Sequence, residues 1–422
     1  MDIFNLNKDF KRILIVGGGF GGIEIVKKIS TKKFEVLLID KHNYFTFQPL
    51  LYQVATGGLE PDSVAYPLRK ILSGKNNIVF RMAEVTSIKS DTKEVNSNIG
   101  LIPYDILILA CGSITNFFGM KETMEHSLSL KSVTDALNMR SFILQNFEAA
   151  LLTKDKEVQK RLMNFVVVGG GPTGVEISGS LAELKRHVLP NDYPELDFSM
   201  MNITIVESSA NVLDVMSDFS KRKSKKQLED LGVKLMLNHQ LVSYDGREAI
   251  LKDGTVIPTS ALIWTAGVKG NIPDGFSPDK IVRGNRFNVD DFNRIDGLED
   301  VFAIGDIASM ESNPHPMLAP VAMQQGKNLA KNLNKKDYSE WRKFKYFDKG
   351  TMATVGRSRA VADLNFIHLQ GILAWLAWLF IHLMLLVGFR NRVIVFFNWL
   401  WNYFSYDKAI RLIIRPYKKI DK

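Results

Sequence analysis

Two short stretches of this 422-residue chain carry residues of the type and spacing that do chemistry. In "RILIVGGGFGGIE", Gly17, Gly19 and Gly22 fit the pattern G-x-G-x-x-G, and "NFVVVGGGPTGVE" repeats it with Gly169, Gly171, Pro172, Thr173 and Gly174. Each loop follows an apolar run that reads as a buried strand and precedes an amphipathic run that reads as a helix. Glycines so placed permit a tight turn, close approach of a pyrophosphate to backbone N–H groups, and close helix–strand packing. The next strands end on acids, "FEVLLID" on Asp40 and "MNITIVE" on Glu207. An acid there accepts hydrogen bonds from an adenosine ribose. Glu207 would repel a 2′-phosphate and no Arg immediately follows it, which favours NADH over NADPH.

Two loops imply two dinucleotides. Two nicotinamides would form no redox couple, so one of the pair is expected to be FAD. The stretch "GLEDVFAIGDIAS" is a short apolar strand ending in Gly305-Asp306. It resembles the second flavin fingerprint of two-dinucleotide flavoproteins, in which the Asp binds the ribityl chain or pyrophosphate. Because it follows the second loop, the expected fold is α/β with two Rossmann-like domains, the FAD domain split by an inserted NADH domain. The expected boundaries are 1–120 and 285–340 for FAD and 121–284 for NADH. Residues 341–422 are expected to form a C-terminal membrane-association region of amphipathic helices. "YDILILACGS" and "ALIWTAGV" read as the strands that end the two nucleotide units.

Composition narrows the acceptor. The single cysteine, Cys111, rules out an internal disulfide and a CxxC redox pair, so acceptors reached through paired cysteines beside a flavin are excluded. Cys111 itself reads as a small buried hydrophobe. No His, Cys or acid cluster has metal spacing, and no metal is expected. The formal charge of +9 and isoelectric point near 9.3 favour an anionic partner. The N-terminus lacks an apolar signal segment, so the catalytic part is expected in the cytoplasm.

The block Asp40–Arg69, "DKHNYFTFQPLLYQVATGGLEPDSVAYPLR", is followed in order by "GGGPTGVE", "IWTAGV", "AIGD", "APVAMQQG" and "FDKGTMATVG". Together they resemble the type II NADH:quinone oxidoreductases, single-subunit flavoenzymes that pump no protons. The resemblance implies hydride delivery from NADH to FAD and two-electron reduction of a membrane quinone. It places FAD against Gly17, Gly19, Phe20, Gly21, Gly22, Asp40, Lys41, Asn43, Gln48, Val85, Ala110, Gly112, Gly305, Asp306, Gln324 and Lys349. NADH falls to Gly169, Gly171, Pro172, Thr173, Gly174, Glu176, Glu207, Ala266 and Gly267. The quinone falls to Ala319, Ala322, Met323, Gln324 and Gln325, and the catalytic roles to Glu176, Gln324 and Lys349. Glu176 is implied near the nicotinamide or the proton route, and Lys349 near the flavin. The family's quinone motif resembles A-Q-x-A-x-Q; here Pro320 replaces its first glutamine. Other readings are a flavin NADH reductase with a non-quinone acceptor, and a low-turnover redox sensor resembling apoptosis-inducing factor.

The C-terminal segment sets the location. "GILAWLAWLFIHLMLLVGF" is 19 residues long with only His382 polar, near the roughly 20 residues that span a bilayer. From Arg390 onward there are eight Lys/Arg and two Asp/Glu. A single span would carry these across the membrane, against the positive-inside tendency. A returning span would have to be "VIVFFNWLWNYFS", about 20 Å as a helix, which is too short. Asn391, Asn398, Asn402 and Ser405 recur at helical spacing among aromatics, and Lys408, Arg411, Arg415 and Lys418 continue a basic stripe beside Leu412, Ile413 and Ile414. The expectation is monotopic attachment to anionic lipid on the cytoplasmic face of the inner membrane, with the first helix at a homodimer interface. Basic residues clustered with Trp and Leu, and no nucleic-acid motif, exclude nucleic acid as the partner. His382 reads as a packing histidine.

Overall fold

The computed structural model describes residues 10–405, 411–413 and 416–417. In chain order, the first nucleotide unit contributes β1 (Lys11–Val16), α1 (Phe20–Lys28) and β2 (Phe34–Asp40). A short helix, α2 (Leu51–Ala55), precedes β3 (Ile78–Met82) and β4 (Ile106–Leu109). The second unit runs β5 (Asn164–Val168), α3 (Pro172–His187), β6 (Asn202–Glu207), β7 (Lys234–Leu237) and β8 (Ala261–Trp264). The chain then returns as β9 (Val301–Ala303) and α4 (Ala319–Leu333). It closes with β10 (Thr351–Gly356), β11 (Arg359–Leu364), β12 (Ile367–Gln370), α5 (Gly371–Leu385) and α6 (Phe389–Ser405).

Two compact units result. One holds residues 1–46, 66–114 and 268–347; the other holds 47–65, 115–267 and 348–422. In the first, five parallel strands run in the order β9-β4-β1-β2-β3. Both faces of a parallel sheet are covered, so its strands are apolar throughout; in β1, Ile13 to Val16 are all buried. Strand β9 pairs Val301 with Leu107, so a strand from beyond the inserted segment completes the sheet begun at the N-terminus. The split first domain is thus explicit in the strand order. Helix α4 lies against α1 through small residues: a Cβ on Gly326 would sit 2.5 Å from the Gly21 carbonyl.

The second unit repeats the plan with four parallel strands, β7-β6-β5-β8. In each unit a three-stranded antiparallel meander lies between two successive parallel strands, residues 85–103 between β3 and β4 and residues 241–258 between β7 and β8. The duplication therefore extends well past the glycine loops.

The C-terminal region has its amphipathic helices, preceded by a sheet that the sequence reading did not name. Residues 351–370 form an antiparallel sheet, β10-β11-β12, turned by Ser358 at φ +57°. The alternating "TMATVG" carries a strand signal, but it is short and hard to separate from a loop. This sheet crosses α3 at Gly179, where a Cβ would lie 1.6 Å from the Val355 carbonyl oxygen. A mid-helix glycine costs about 1 kcal/mol relative to alanine; here it permits backbone-to-backbone contact.

The 19-residue apolar stretch does not form one helix. Helix α5 is 15 residues and α6 is 17, with Gly388 at φ +89° in the break. No described helix is long and apolar enough to cross a membrane. Polar residues of α6 face the protein. Asn391 Nδ2 donates to Asp62 O at 2.9 Å, Trp399 Nε1 to Gln53 Oε1 at 2.7 Å, and Asn402 Nδ2 to Gly58 O at 3.0 Å. Its phenylalanines face outward, with Phe389 82% and Phe404 74% exposed. Arg411, expected in the basic stripe, is paired with Asp192; Lys408, Ile414, Arg415 and Lys418 lie outside the described residues.

Gly179→Ala should place a Cβ against backbone that has no room to yield. The expected loss is about 3 kcal/mol or more, read as a lowered thermal midpoint; an unchanged midpoint would contradict the crossing.

Candidate functional site

The two glycine loops are built alike. Gly17 and Gly169 take φ of +109° and +105°, closed to side chains, and their N–H groups donate to the Ile39 and Val206 carbonyls at 2.8 and 2.9 Å. A Cβ on Gly22 would meet the Gly17 carbonyl at 2.0 Å, and one on Gly174 the Gly169 carbonyl at 1.9 Å. Gly19 and Gly171 are different: nothing lies within 4 Å of a Cβ there. They are the N-cap residues of α1 and α3, without a side-chain cap and without an acid in the first turn. The free N–H groups and positive dipole end of each helix suit a pyrophosphate.

The acids complete both cradles. Asp40 Oδ2 accepts from Gly18 N at 2.7 Å and Oδ1 from His42 N at 2.8 Å. Glu207 Oε2 accepts from Gly170 N at 2.5 Å and Oε1 from Ser209 N at 2.7 Å. Each carboxylate oxygen retains lone-pair capacity for a ribose hydroxyl. These open, uncapped cradles fit a dinucleotide.

Around the first loop the structure gathers most of the expected set. Gly17 packs on the Ala110 carbonyl, and Phe20 meets Phe45 edge-on at 5.1 Å. Gly305 has φ +73°, and Ser113 donates to the Asp306 carboxylate. Gly112 has φ +68°, Val85 begins the meander, and Lys41 and Asn43 are exposed just after Asp40. Gln48 and Lys349 belong to the other unit: Gln48 Oε1 accepts from Lys131 Nζ at 3.4 Å, and Lys349 is exposed on a loop. Around the second loop, Gly169 packs on Ala266, Gly267 lies beside Phe118, and Thr173 is exposed.

The quinone motif needs correction. Gln325 is 1% exposed and its Oε1 accepts from Gly305 N at 2.7 Å, so it braces the flavin-fingerprint turn and is not available to a quinone. Ala322 is buried against the same turn; a Cβ on Gly305 would lie 3.1 Å from its methyl. Gln324 is held at both ends of its amide, Oε1 by Phe347 N and Nε2 on Phe347 O, each at 2.9 Å. Ala319 and Met323 remain partly exposed. Pro320 occupies the first turn of α4, where a missing N–H costs nothing. Sequence spacing placed these residues on one helix without saying which side each faces. Cys111, expected to be buried, is only partly so: its thiol packs against the first unit's core, and desolvation pushes it up to about 12.

The second unit contains an open cleft with a cavity volume of about 120 Å³. One wall is a polar stripe on α3: Glu176, Ser180, Glu183 and His187. Opposite are Tyr52, Gln53 and Thr56 near α2, and Trp375, Trp378, Trp399 and Tyr403 from α5 and α6. Glu176 is 9% exposed, and burial pushes its carboxyl well above the ordinary range, against a smaller opposing effect of the Thr354 backbone. Ser180 Oγ and Thr56 Oγ1 share a 2.7 Å hydrogen bond. Arg357 donates its backbone N–H to Glu183 and lies 4.2 Å over the Tyr403 ring. His382 stacks on Trp378 at 4.0 Å, its Nδ1 2.8 Å from Trp378 O, and burial lowers its pKa to about 4.

Two family descriptions match the chain, pyridine nucleotide-disulphide oxidoreductase over residues 11–326 and NDH2 C-terminal domain over residues 349–405. The type II NADH:quinone oxidoreductase Ndh of Mycobacterium tuberculosis is 34% identical, over 93% of this chain and 88% of its own length. The chain belongs to the type II NADH:quinone oxidoreductases. A Staphylococcus aureus type II NADH:quinone oxidoreductase is 30% identical over 83% of this chain and 88% of its own. NDH2 from Plasmodium falciparum, solved with NADH, shares the fold with a TM-score of 0.88 at 22% identity, covering 96% of this chain and all of that one.

For this member of the type II family, sequence reasoning missed the cleft. The available signal was the recurrence of Glu176, Ser180, Glu183 and His187 at positions i, i+4, i+7 and i+11, one helical face. Its partners come from segments hundreds of residues apart.

A buried acid that stays protonated binds a proton on folding once pH exceeds its unfolded value. Its contribution is full below about 4.5, the ordinary glutamate value, and declines as pH rises toward the elevated folded value. Glu176→Gln should therefore gain thermal midpoint over the native protein progressively as pH rises above about 5. Parallel melting curves would contradict the burial of a neutral carboxyl.

Proposed function

We propose that the protein oxidises NADH and reduces a membrane quinone by two electrons, NADH + H⁺ + quinone → NAD⁺ + quinol, without translocating protons. The observation that carries this reading is the doubled nucleotide cradle on a chain with a single thiol, partly buried against the first unit's core. A disulfide acceptor is thereby excluded, and donor and relay each have a cradle of their own.

FAD is assigned to the first cradle, with Gly19 at its pyrophosphate, Asp40 at its ribose and Asp306 on the ribityl or pyrophosphate side. When bound, FAD supplies the two-electron relay between a hydride donor and a quinone. NADH is assigned to the second cradle, with Gly171 at the pyrophosphate and Glu207 on the ribose. Glu207 spends one oxygen on Gly170 N and the other on Ser209 N, leaving a fixed negative charge where a 2′-phosphate would sit. Glu176, whose carboxyl burial makes harder to ionise, serves as a proton donor, and exposed Lys349 as an electrostatic partner of the reduced relay. Among the quinone-motif residues, Ala319 and Met323 keep exposed surface for the acceptor.

Outward aromatics on α6 and apolar side chains on α5, with Leu373 and Phe380 exposed, support attachment to a lipid surface without a span. The attachment is to the cytoplasmic face, with anionic lipid contacted by C-terminal cations. A homodimer would cover part of α5.

With lipid vesicles containing quinone, the protein should consume NADH and form quinol at one-to-one stoichiometry, with NADPH far slower. Equal rates with both nucleotides, or NADH oxidation without quinol, would overturn the assignment. Replacing Phe389, Phe397 and Phe404 by serine should release the protein from vesicles while sparing NADH oxidation by a water-soluble quinone.

A further inference from the structure

The helix Val133–Leu152 turns an apolar face inward, with Ala136, Met139, Ile143, Leu144, Phe147 and Ala150 all buried. Arg140 falls on that same face, one turn from Ala136 and from Leu144, and is only 5% exposed. Its guanidinium Nε and Nη1 are buried and have no acceptor among the described residues. Glu60, an exposed carboxylate, favours its charge through space but makes no ion pair with it. Burial lowers the proton affinity of Arg140, yet a guanidinium stays charged in a protein. A buried charge without a partner is among the costliest arrangements a core can hold.

Arg140 lines a small pocket of the second unit, with a cavity volume of about 20 Å³. We infer that this pocket binds one compact monovalent anion of halide size, held by the Arg140 guanidinium. Size sets the class, because a cavity of this volume takes one particle not much larger than water. A nucleotide, a quinone or a lipid headgroup is too large. Sign sets the charge. Two cations line the pocket, Arg140 and Arg411, and Arg411 is matched by Asp192 while Arg140 is not. The remaining walls are mainly apolar, from Ile143, Leu144, Leu184 and Leu189. Thr56 also lines the pocket, but its hydroxyl proton goes to the Tyr52 carbonyl at 2.9 Å, so Arg140 is the donor. Thr56 and Val188 belong to the wall of the larger cleft as well, so a bound anion steadies a wall common to both. The site is independent of the NADH:quinone reading, since none of its residues belongs to either nucleotide cradle.

The test uses the flavin-loaded protein in sodium gluconate, whose anion is too large for the pocket, with chloride replacing gluconate at constant ionic strength. The native thermal midpoint should rise with chloride and saturate, by about 2 °C or more, and bromide should act likewise. Arg140→Met keeps an unbranched side chain and removes the charge. Its midpoint should be flat against chloride and, in gluconate, higher than that of the native protein. In chloride NMR the native protein should broaden the line and bromide should compete the broadening away, with little broadening by the variant. Bromide-soaked crystals of the native protein, which depend on no variant, should show anomalous density beside the Arg140 guanidinium. A native midpoint that follows ionic strength alone, an equal chloride response in Arg140→Met, or crystals without bromide at Arg140 would each overturn the site. If the chloride response appears only in Glu60→Gln, then Glu60 is the counter-ion and the proposal falls.

Discussion

The clasp between a strand-end carboxylate and the middle glycine of a nucleotide loop is the interaction on which the rest of the architecture depends. Asp40 holds Gly18 N and Glu207 holds Gly170 N. Charge-assisted bonds of this kind are about twice as strong as neutral ones. Each fixes the loop so that the next helix begins with its N–H groups uncapped and aimed at open space. A side chain at Gly17, Gly22, Gly169 or Gly174 would collide with backbone, so the helix can start nowhere else. The carboxylate that shapes the loop is the one left to read the ribose, which ties fold and nucleotide choice to the same atoms.

A second constraint organises the C-terminal region. Gly179 lets β10 press on α3, bringing Thr354 and Arg357 to the same face as Glu176 and Glu183. Helix α6 then turns its asparagines and Trp399 inward, where they satisfy backbone and side-chain groups near α2. The aromatic side is left outside. An amphipathic helix with its polar face committed to protein and its apolar face outward is stable only where something apolar covers it. The same crossing that builds the cleft thus also exposes the surface assigned to lipid.

The parallel sheets and the shape of the glycine loops were legible because their signals are local. A buried strand, a glycine turn and a terminal acid occur within about 30 residues. The side each residue of α4 faces was not legible. Gln324 and Gln325 are adjacent, yet one is clipped to Phe347 and the other braces Gly305, contacts set by segments about 20 residues away in either direction. The β10–β12 sheet was missed because its short strands carry weak periodicity beside long apolar runs. The cleft was invisible for a different reason: its polar stripe lies on one helix, but its aromatic wall comes from residues 52, 375, 378, 399 and 403. Gly179 looked like an ordinary helix defect until the opposing carbonyl was seen.

The central claim is that each unit holds its own dinucleotide, and ligand content in two loop variants tests it most directly. Gly22→Ala and Gly174→Ala are purified and assayed for bound flavin by absorbance and for NADH binding by fluorescence. The account predicts reciprocal losses: Gly22→Ala without flavin but still binding NADH, Gly174→Ala retaining flavin that NADH no longer reduces. If both folded variants lose the same ligand, or Gly174→Ala flavin is still bleached by NADH at the native rate, the two-cradle account is contradicted.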